Sequence, residues 1–367
     1  MNAVAKSLIH IDAMATHDPD TFRLLKNGSE AMKGVGGVEY SRVSYTGTMY
    51  DEMCESIMLF MANGQQVYRL GPVLERLLGH TECNSIPPEF VKFPFKSFYI
   101  DLVDSNAGVW DGEGKCVQAK GIYVVSDFRA KGVVKFMFWG CDDMRAVSNR
   151  KLFLDDGIQW LTLNLNKMSC TKSGNMNVDE TFKRIYLDQS KDTSITGVNQ
   201  KQMEYSEVLG HDAPGGYDSM NYLLRLAFNA ILYINSVQAD IGPAQRSRSI
   251  ATPRKFRRLR PLKSSPTVRV LGRSYESSKK HCGVVGGIGK RRTVPGHWRG
   301  VWVGTRKDEN GEYRPGTHRE RRWILPYVVN ADSPVEVTRS TQIAPEPSLC
   351  SLNYTDLKKP VWNLGGF

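Results

Sequence analysis

Residues 296–330, GHWRGVWVGTRKDENGEYRPGTHRERRWILPYVVN, restrict the fold more than any other stretch of this chain. From His297 to Val303 the residue types alternate, so a strand there sets Trp298, Gly300 and Trp302 on one face and Arg299, Val301 and Val303 on the other. A second run, Arg322 to Val329, sets Trp323, Leu325, Tyr327 and Val329 against Arg322, Ile324 and Val328. Between the runs, Asn310-Gly311 suits the positive φ angles of a type I′ turn, and Pro315-Gly316 offers a second reversal. Pro326 has no N–H to give to a ladder, which predicts an edge or a bulge in the last strand. The expectation is a small antiparallel unit of two or three strands, with one Trp buried and at least one exposed.

The order GHWxGxWxGT, a basic run ending in RxW, then a proline and a VN pair resembles the C-terminal signature of the type V-A anti-CRISPR protein family that suppresses production of the CRISPR effector nuclease. Gly296, His297, Trp298, Gly300, Trp302, Gly304, Thr305, Trp323, Pro326, Val329 and Asn330 carry it. A second likeness covers Phe98 to Ser126, where YID and KGIYVV look like a strand pair of the same family. The tip around Asp308 to Thr317 is longer than the family pattern.

Charge divides the chain. Residues 241–367 hold 25 Lys and Arg against 9 Asp and Glu, a net of +16, which leaves 24 against 29, a net of −5, for residues 1–240. Such a split marks contact with a polyanion, because each phosphate neutralised releases counterions. From Arg246 to Arg292 there are 15 Lys and Arg and one acid, Glu276, among Ser, Pro and Gly. Repulsion and low hydrophobicity predict an extended basic arm that orders on binding, densest at Arg254, Lys255, Arg257, Arg258 and Arg260.

Elsewhere the periodicity is that of an α+β protein. Asp18-Pro19-Asp20-Thr21 starts a helix that the glycines from Gly34 to Gly37 end, and Met49 to Met61 and Val67 to Leu78 place apolar residues at three- and four-residue steps. The methionines of the second helix are read as core. Pro87-Pro88 closes this helical section, and Phe98–Val103, Gly121–Asp127, Val133–Trp139 and Ile158–Leu165 then read as a mostly antiparallel sheet of four or five strands. Helices return at Val178–Gln189 and at Tyr217–Asp240, whose broad apolar stripe must lie across a face of the sheet before Gly242-Pro243 stops it. The resulting division is a mildly acidic α/β body, 1–240; a basic arm or linker, 241–295; a Trp/Arg-rich β-hairpin unit, 296–331; and a tail, 332–367, whose Tyr354, Leu357, Trp362 and Leu364 can fold back on the body.

Several chemistries fail on spacing. Seven cysteines are scattered with no C-x-x-C pair, which fits packing thiols in a reducing compartment rather than a disulfide framework or a zinc ribbon. Gly286-Gly287-Ile288-Gly289-Lys290 lacks the Ser or Thr of a phosphate loop. No cofactor or metal is expected, and no apolar run is long enough to cross a membrane, so the expected location is the cytoplasm, which the family resemblance implies is that of a bacterial host. His297 and His318, with Arg299 and Glu320, are the side chains a metal-independent ribonuclease needs. The simpler account has Arg291, Arg292, Arg299, Arg319, Arg321 and Arg322 grip an RNA backbone while Trp298, Trp302 and Trp323 stack on bases or pack below.

The resemblance implies an anti-CRISPR protein of a phage or mobile element, one that recognises the nascent N-terminal peptide of the type V-A effector nuclease at the ribosome and leads to loss of its mRNA. On that reading the acidic body holds the peptide, and the basic arm and hairpin face ribosomal or messenger RNA. A general phage or plasmid nucleic-acid-binding protein sharing the hairpin module is the alternative.

Overall fold

In the computed structural model, which describes residues 8, 10–11, 14–15, 19–33, 49–102, 107–110, 116–128, 130–141, 157–187, 217–236, 239–246, 266–273, 284–285, 292–294, 297–303, 318–324 and 327–329, helices cover both faces of one central sheet. The chain opens with α1, Pro19–Ala31, and α2, Met49–Ala62, then turns through Gly64 at φ +85° into β1, Gln66–Leu70. α3, Pro72–Gly79, leads to β2, Ser97–Asp101, β3, Gly108–Trp110, β4, Cys116–Ser126, β5, Val133–Gly140, and β6, Gly157–Asn164. Two helices follow, α4, Val178–Leu187, and α5, Tyr217–Ile234; then come β7, Gln245–Arg246, and β8, Thr267–Leu271.

These strands form an eight-stranded mixed sheet in the order β6-β5-β4-β2-β1-β8-β7, with β3 on β4. Most neighbours are antiparallel, but β1 runs parallel to both β2 and β8. Alternation sorts the core into two layers. Tyr68, Leu70, Phe98, Ile100, Ile122, Val124, Phe136 and Phe138 meet α3, α4 and α5, while Val67, Tyr99, Tyr123, Met137, Trp139 and Val268 meet α1 and α2. Gly121 permits this packing at one tight point, since a Cβ there would overlap the Tyr99 phenol; the β4 register shifts beside it.

The α+β class, the N-terminal helices and the strands from Ser97 to Asn164 agree with the sequence reading, and Met53 and Met58 are buried in the core. Three details differ. Val67 to Leu78 is a strand and then a helix, because Gly71 is extended at ψ 148° and Pro72 starts α3. The sheet has eight strands, since β8 arises within the basic arm: Val268 and Leu271 are buried and the strand lies beside β1 from Gln66↔Thr267 to Leu70↔Leu271. Arg322 to Val329 falls in two strands, one ending at Ile324 and the next starting at Tyr327, and the two pair with different partners.

The C-terminal part consists of β9, Val284–Val285, β10, Arg292–Val294, β11, His297–Val303, β12, His318–Ile324, and β13, Tyr327–Val329. β11 and β12 form an antiparallel ladder, and β10, β13 and β9 make a separate three-stranded sheet. Cys54, Cys83, Cys116 and Cys141 are buried cysteines and Cys170 is an exposed one. The 254–260 cluster, Arg291, the glycine run from Gly286, the tip from Gly304 to Thr317 and the tail lie outside the described residues. Among the described residues, no helix is long and apolar enough to cross a membrane.

Candidate functional site

α5 is apolar almost all round: from Leu223 to Tyr233 only Arg225 is not buried. A helix of that kind needs cover on more than one side. One side is the sheet, where Phe228 meets Phe136 at 5.2 Å between rings. The β11–β12 hairpin supplies cover through two tryptophans directly opposite each other in its ladder, Trp298↔Trp323, with ring centroids 6.3 Å apart. Trp323 is buried, edge-on to Tyr233 of α5 at 6.2 Å, and Trp298 is half-buried against the same core.

One polar group fixes the position. Asn229 is fully buried in α5, and its amide donates to the carbonyls of Leu78, at 2.8 Å, and Thr81, at 2.7 Å, satisfying the C-terminal end of α3. Its Oδ1 is thereby turned toward the hairpin, where it accepts the indole N–H of Trp298 at 2.9 Å. A single side chain thus joins α3, α5 and β11. Asn229 and Tyr233 went unnoticed in the sequence; the signal was an Asn inside a helix otherwise apolar on that face.

Arg299 and Arg322 stand opposite each other in the ladder, one step from the tryptophan pair. Arg299 is exposed, with no carboxylate paired to it among the described residues, whereas Arg322 reaches Glu320 at 3.3 Å and leaves its buried Nε–H without an acceptor. Two like charges directly opposite are unfavourable unless an anion comes between them. Arg321 sits opposite Gly300 and Arg319 opposite Trp302, while Arg292 begins β10 opposite Val329.

The ribonuclease candidates are not assembled by this ladder. His297 pairs with Ile324 and His318 with Val303, at opposite ends, about 20 Å apart along the strands. That spacing is too wide for one acid and one base to share a scissile phosphate. Among the described residues, no group of three or more His, Cys, Asp or Glu is placed to hold a metal ion.

Two polar clusters lie on the α1–α2 face of the sheet. Lys135 of β5 is fully buried, ion-paired to Glu52 and, at 2.6 Å, to Glu55, both of α2. His10 and Tyr123 are hydrogen-bonded at 2.7 Å under Trp139, and burial holds the Tyr123 phenol well above its ordinary pKa.

The sequence model of the AcrVA2-like family, anti-CRISPR type V subtype A2, matches residues 68–331, from β1 through the hairpin unit. The chain belongs to that family. Among solved structures it is similar to the crystal structure of AcrVA2, at 14% identity and a TM-score of 0.42, over 89% of this chain and 100% of that one. No curated protein matches it. The AcrVA2-like match runs from β1 to the end of the C-terminal strands, so the main sheet, α5 and the Trp/Arg hairpin all fall within it.

Proposed function

We propose that this anti-CRISPR protein lowers the amount of the type V-A effector nuclease by recognising the nuclease's N-terminal peptide as it leaves the ribosome, and that the encoding mRNA is lost as a result. The body of the chain, acidic overall, holds the peptide. The basic arm and the outer side of the hairpin meet ribosomal or messenger RNA.

The observation that carries the RNA half of this reading is the Arg299–Arg322 pair. The hairpin is anchored by its tryptophans on one face, while the other presents two guanidiniums side by side with Glu320 as the neighbouring carboxylate. With +16 in residues 241–367, that surface suits a phosphate backbone. The peptide half rests on family membership and on the opposite charge of residues 1–240. The two histidines at opposite ends of the ladder favour RNA gripping over intrinsic cleavage.

Expression beside the nuclease gene, and beside one recoded to the same peptide with different codons, tests the reading. Equal loss of both transcripts is expected. Loss of the original alone indicates that nucleotide sequence is read; loss of neither leaves a general nucleic-acid binder.

A further inference from the structure

At the end of the main sheet away from β6, the short β7 lies against the start of β8, with Gln245↔Val268 and Arg246↔Thr267 as facing pairs. Facing residues, and residues two apart on a strand, share a side of a sheet, so Arg246, Thr267 and Arg269 project from the side that carries Tyr68. Arg246 and Arg269 are diagonal neighbours there, about 7–8 Å apart along the backbone.

Arg269 is held in place. Its Nη1 donates to Oε1 of Gln66 at 2.6 Å, and Nε2 of the same amide donates to the Gly64 carbonyl at 3.0 Å, which fixes the way the amide points. The guanidinium carbon lies 5.9 Å from the centre of the Tyr68 ring and 5.8 Å from that of Phe95, both within cation–π range. The side chain stays half-exposed, and Arg246 is exposed. Among the described residues no carboxylate pairs with either arginine, and the neighbours on this side, Gln66, Tyr68, Thr267 and Leu271, are uncharged. Two cations so close, with no acid beside them, favour an anion between them. The chain leaves the sheet at Arg246 and re-enters it at Thr267, and in sequence the intervening residues 247–265 hold seven Lys and Arg and no Asp or Glu.

We propose that Arg246 and Arg269 form a phosphate-binding corner for single-stranded RNA on the main sheet, in addition to the arginine pair of the hairpin. This rests on the reading above that RNA is the partner of the basic third of the chain. A guanidinium already fixed by an amide and two rings loses little freedom when it forks onto a phosphate. Exposed Arg246 takes the neighbouring phosphate. An Arg fork also accepts the carboxylates of an acidic peptide, but an unbroken run of cations around the corner matches the continuous charge of a nucleic-acid backbone better.

Fluorescence anisotropy of the full-length protein with labelled oligouridylate over a salt series tests this. The log affinity of wild type is expected to fall linearly with log salt, and R246Q and R269Q are each expected to lower that slope by about 0.7, one phosphate contact apiece. R269K keeps the charge but loses the fork and the flat face, so it is expected to keep the slope and bind more weakly. Because Arg246 is exposed, a change in R246Q does not come from misfolding. Wild-type slopes in both Gln variants overturn the corner and leave the RNA-facing hairpin standing. A wild type that binds no RNA overturns both. Variants that lose polyglutamate binding but keep RNA binding mark an acidic-peptide site, which also overturns the proposal.

Discussion

The indole N–H of Trp298 donates to the buried side-chain carbonyl of Asn229 at 2.9 Å, across 69 residues of sequence. The bond joins the charge-rich C-terminal unit to the helix at the centre of the body, and the Asn that accepts it also satisfies the carbonyls of Leu78 and Thr81. The hairpin is therefore seated rather than tethered, and its arginine pair is carried at a fixed place on the molecule.

Trp298→Phe keeps most of the apolar contact but leaves the Asn229 carbonyl without its donor, a loss of about 1–3 kcal/mol confined to the hairpin seat. Hydrogen exchange is expected to show about tenfold or greater loss of protection in β11 and β12 with α5 unchanged. Asn229→Leu also takes the amide donor away from the Leu78 and Thr81 carbonyls, leaving Leu78 only the Thr81 N–H, so it should loosen the end of α3 as well. Equal protection of the hairpin in wild type and Trp298→Phe would mean that the bond holds nothing.

Lys135→Met strands the carboxylates of Glu52 and Glu55 inside the α1–α2 layer. Removing one partner of a buried ion pair costs about 3–5 kcal/mol, so chemical denaturation should show a shift of that size. Replacing all three by apolar residues of similar volume should recover most of it, because no unpaired charge is then left.

The Tyr123 phenol is held above the ordinary 10.0 by burial. The folded state keeps this proton while the unfolded chain releases it above about pH 10, so the group's contribution is complete below that pH and is lost as pH rises. Stability should fall as pH rises from about 10 to about 11, where the phenol of the unfolded chain ionises and that of the folded protein does not. Partly buried Tyr222 is shifted in the same direction, mainly by desolvation, and acts in the same sense. Tyr123→Phe loses the His10 bond and starts less stable, but its denaturation midpoint should decline more gently over that interval.

The strands from Ser97 to Asn164 were legible because period-2 patterning and turn residues are local signals. β1 was hidden, since Val67 and Leu70 also fit the helical spacing of Val73, Leu74, Leu77 and Leu78; only Gly71-Pro72 separated the two. β8 alternates as a strand should, but its setting among arginines masked it, and its place beside β1 is a pairing across 201 residues that no local pattern encodes. The Trp faces of the hairpin were readable, whereas their seat was not: Asn229 is one polar residue in an apolar helix, and which partner it meets depends on tertiary packing.

Arg299→Ala and Arg322→Ala should each lower the slope of log affinity for single-stranded RNA against log salt by about 0.7, the value for one phosphate contact. The double variant should lower it by about twice that, with the Trp298–Asn229 seat and the thermal stability of the body unaffected. Unchanged slopes would remove the hairpin from the RNA-facing surface.

The central claim is that the peptide, not the message, is what this protein reads. A nuclease gene carrying two compensating frameshifts keeps nearly all its nucleotides while changing the N-terminal peptide, and its transcript level beside the anti-CRISPR protein is the most direct measurement. Sparing of the frameshifted transcript, with loss of the original, is the expected result. Loss of both to the same extent would contradict the account.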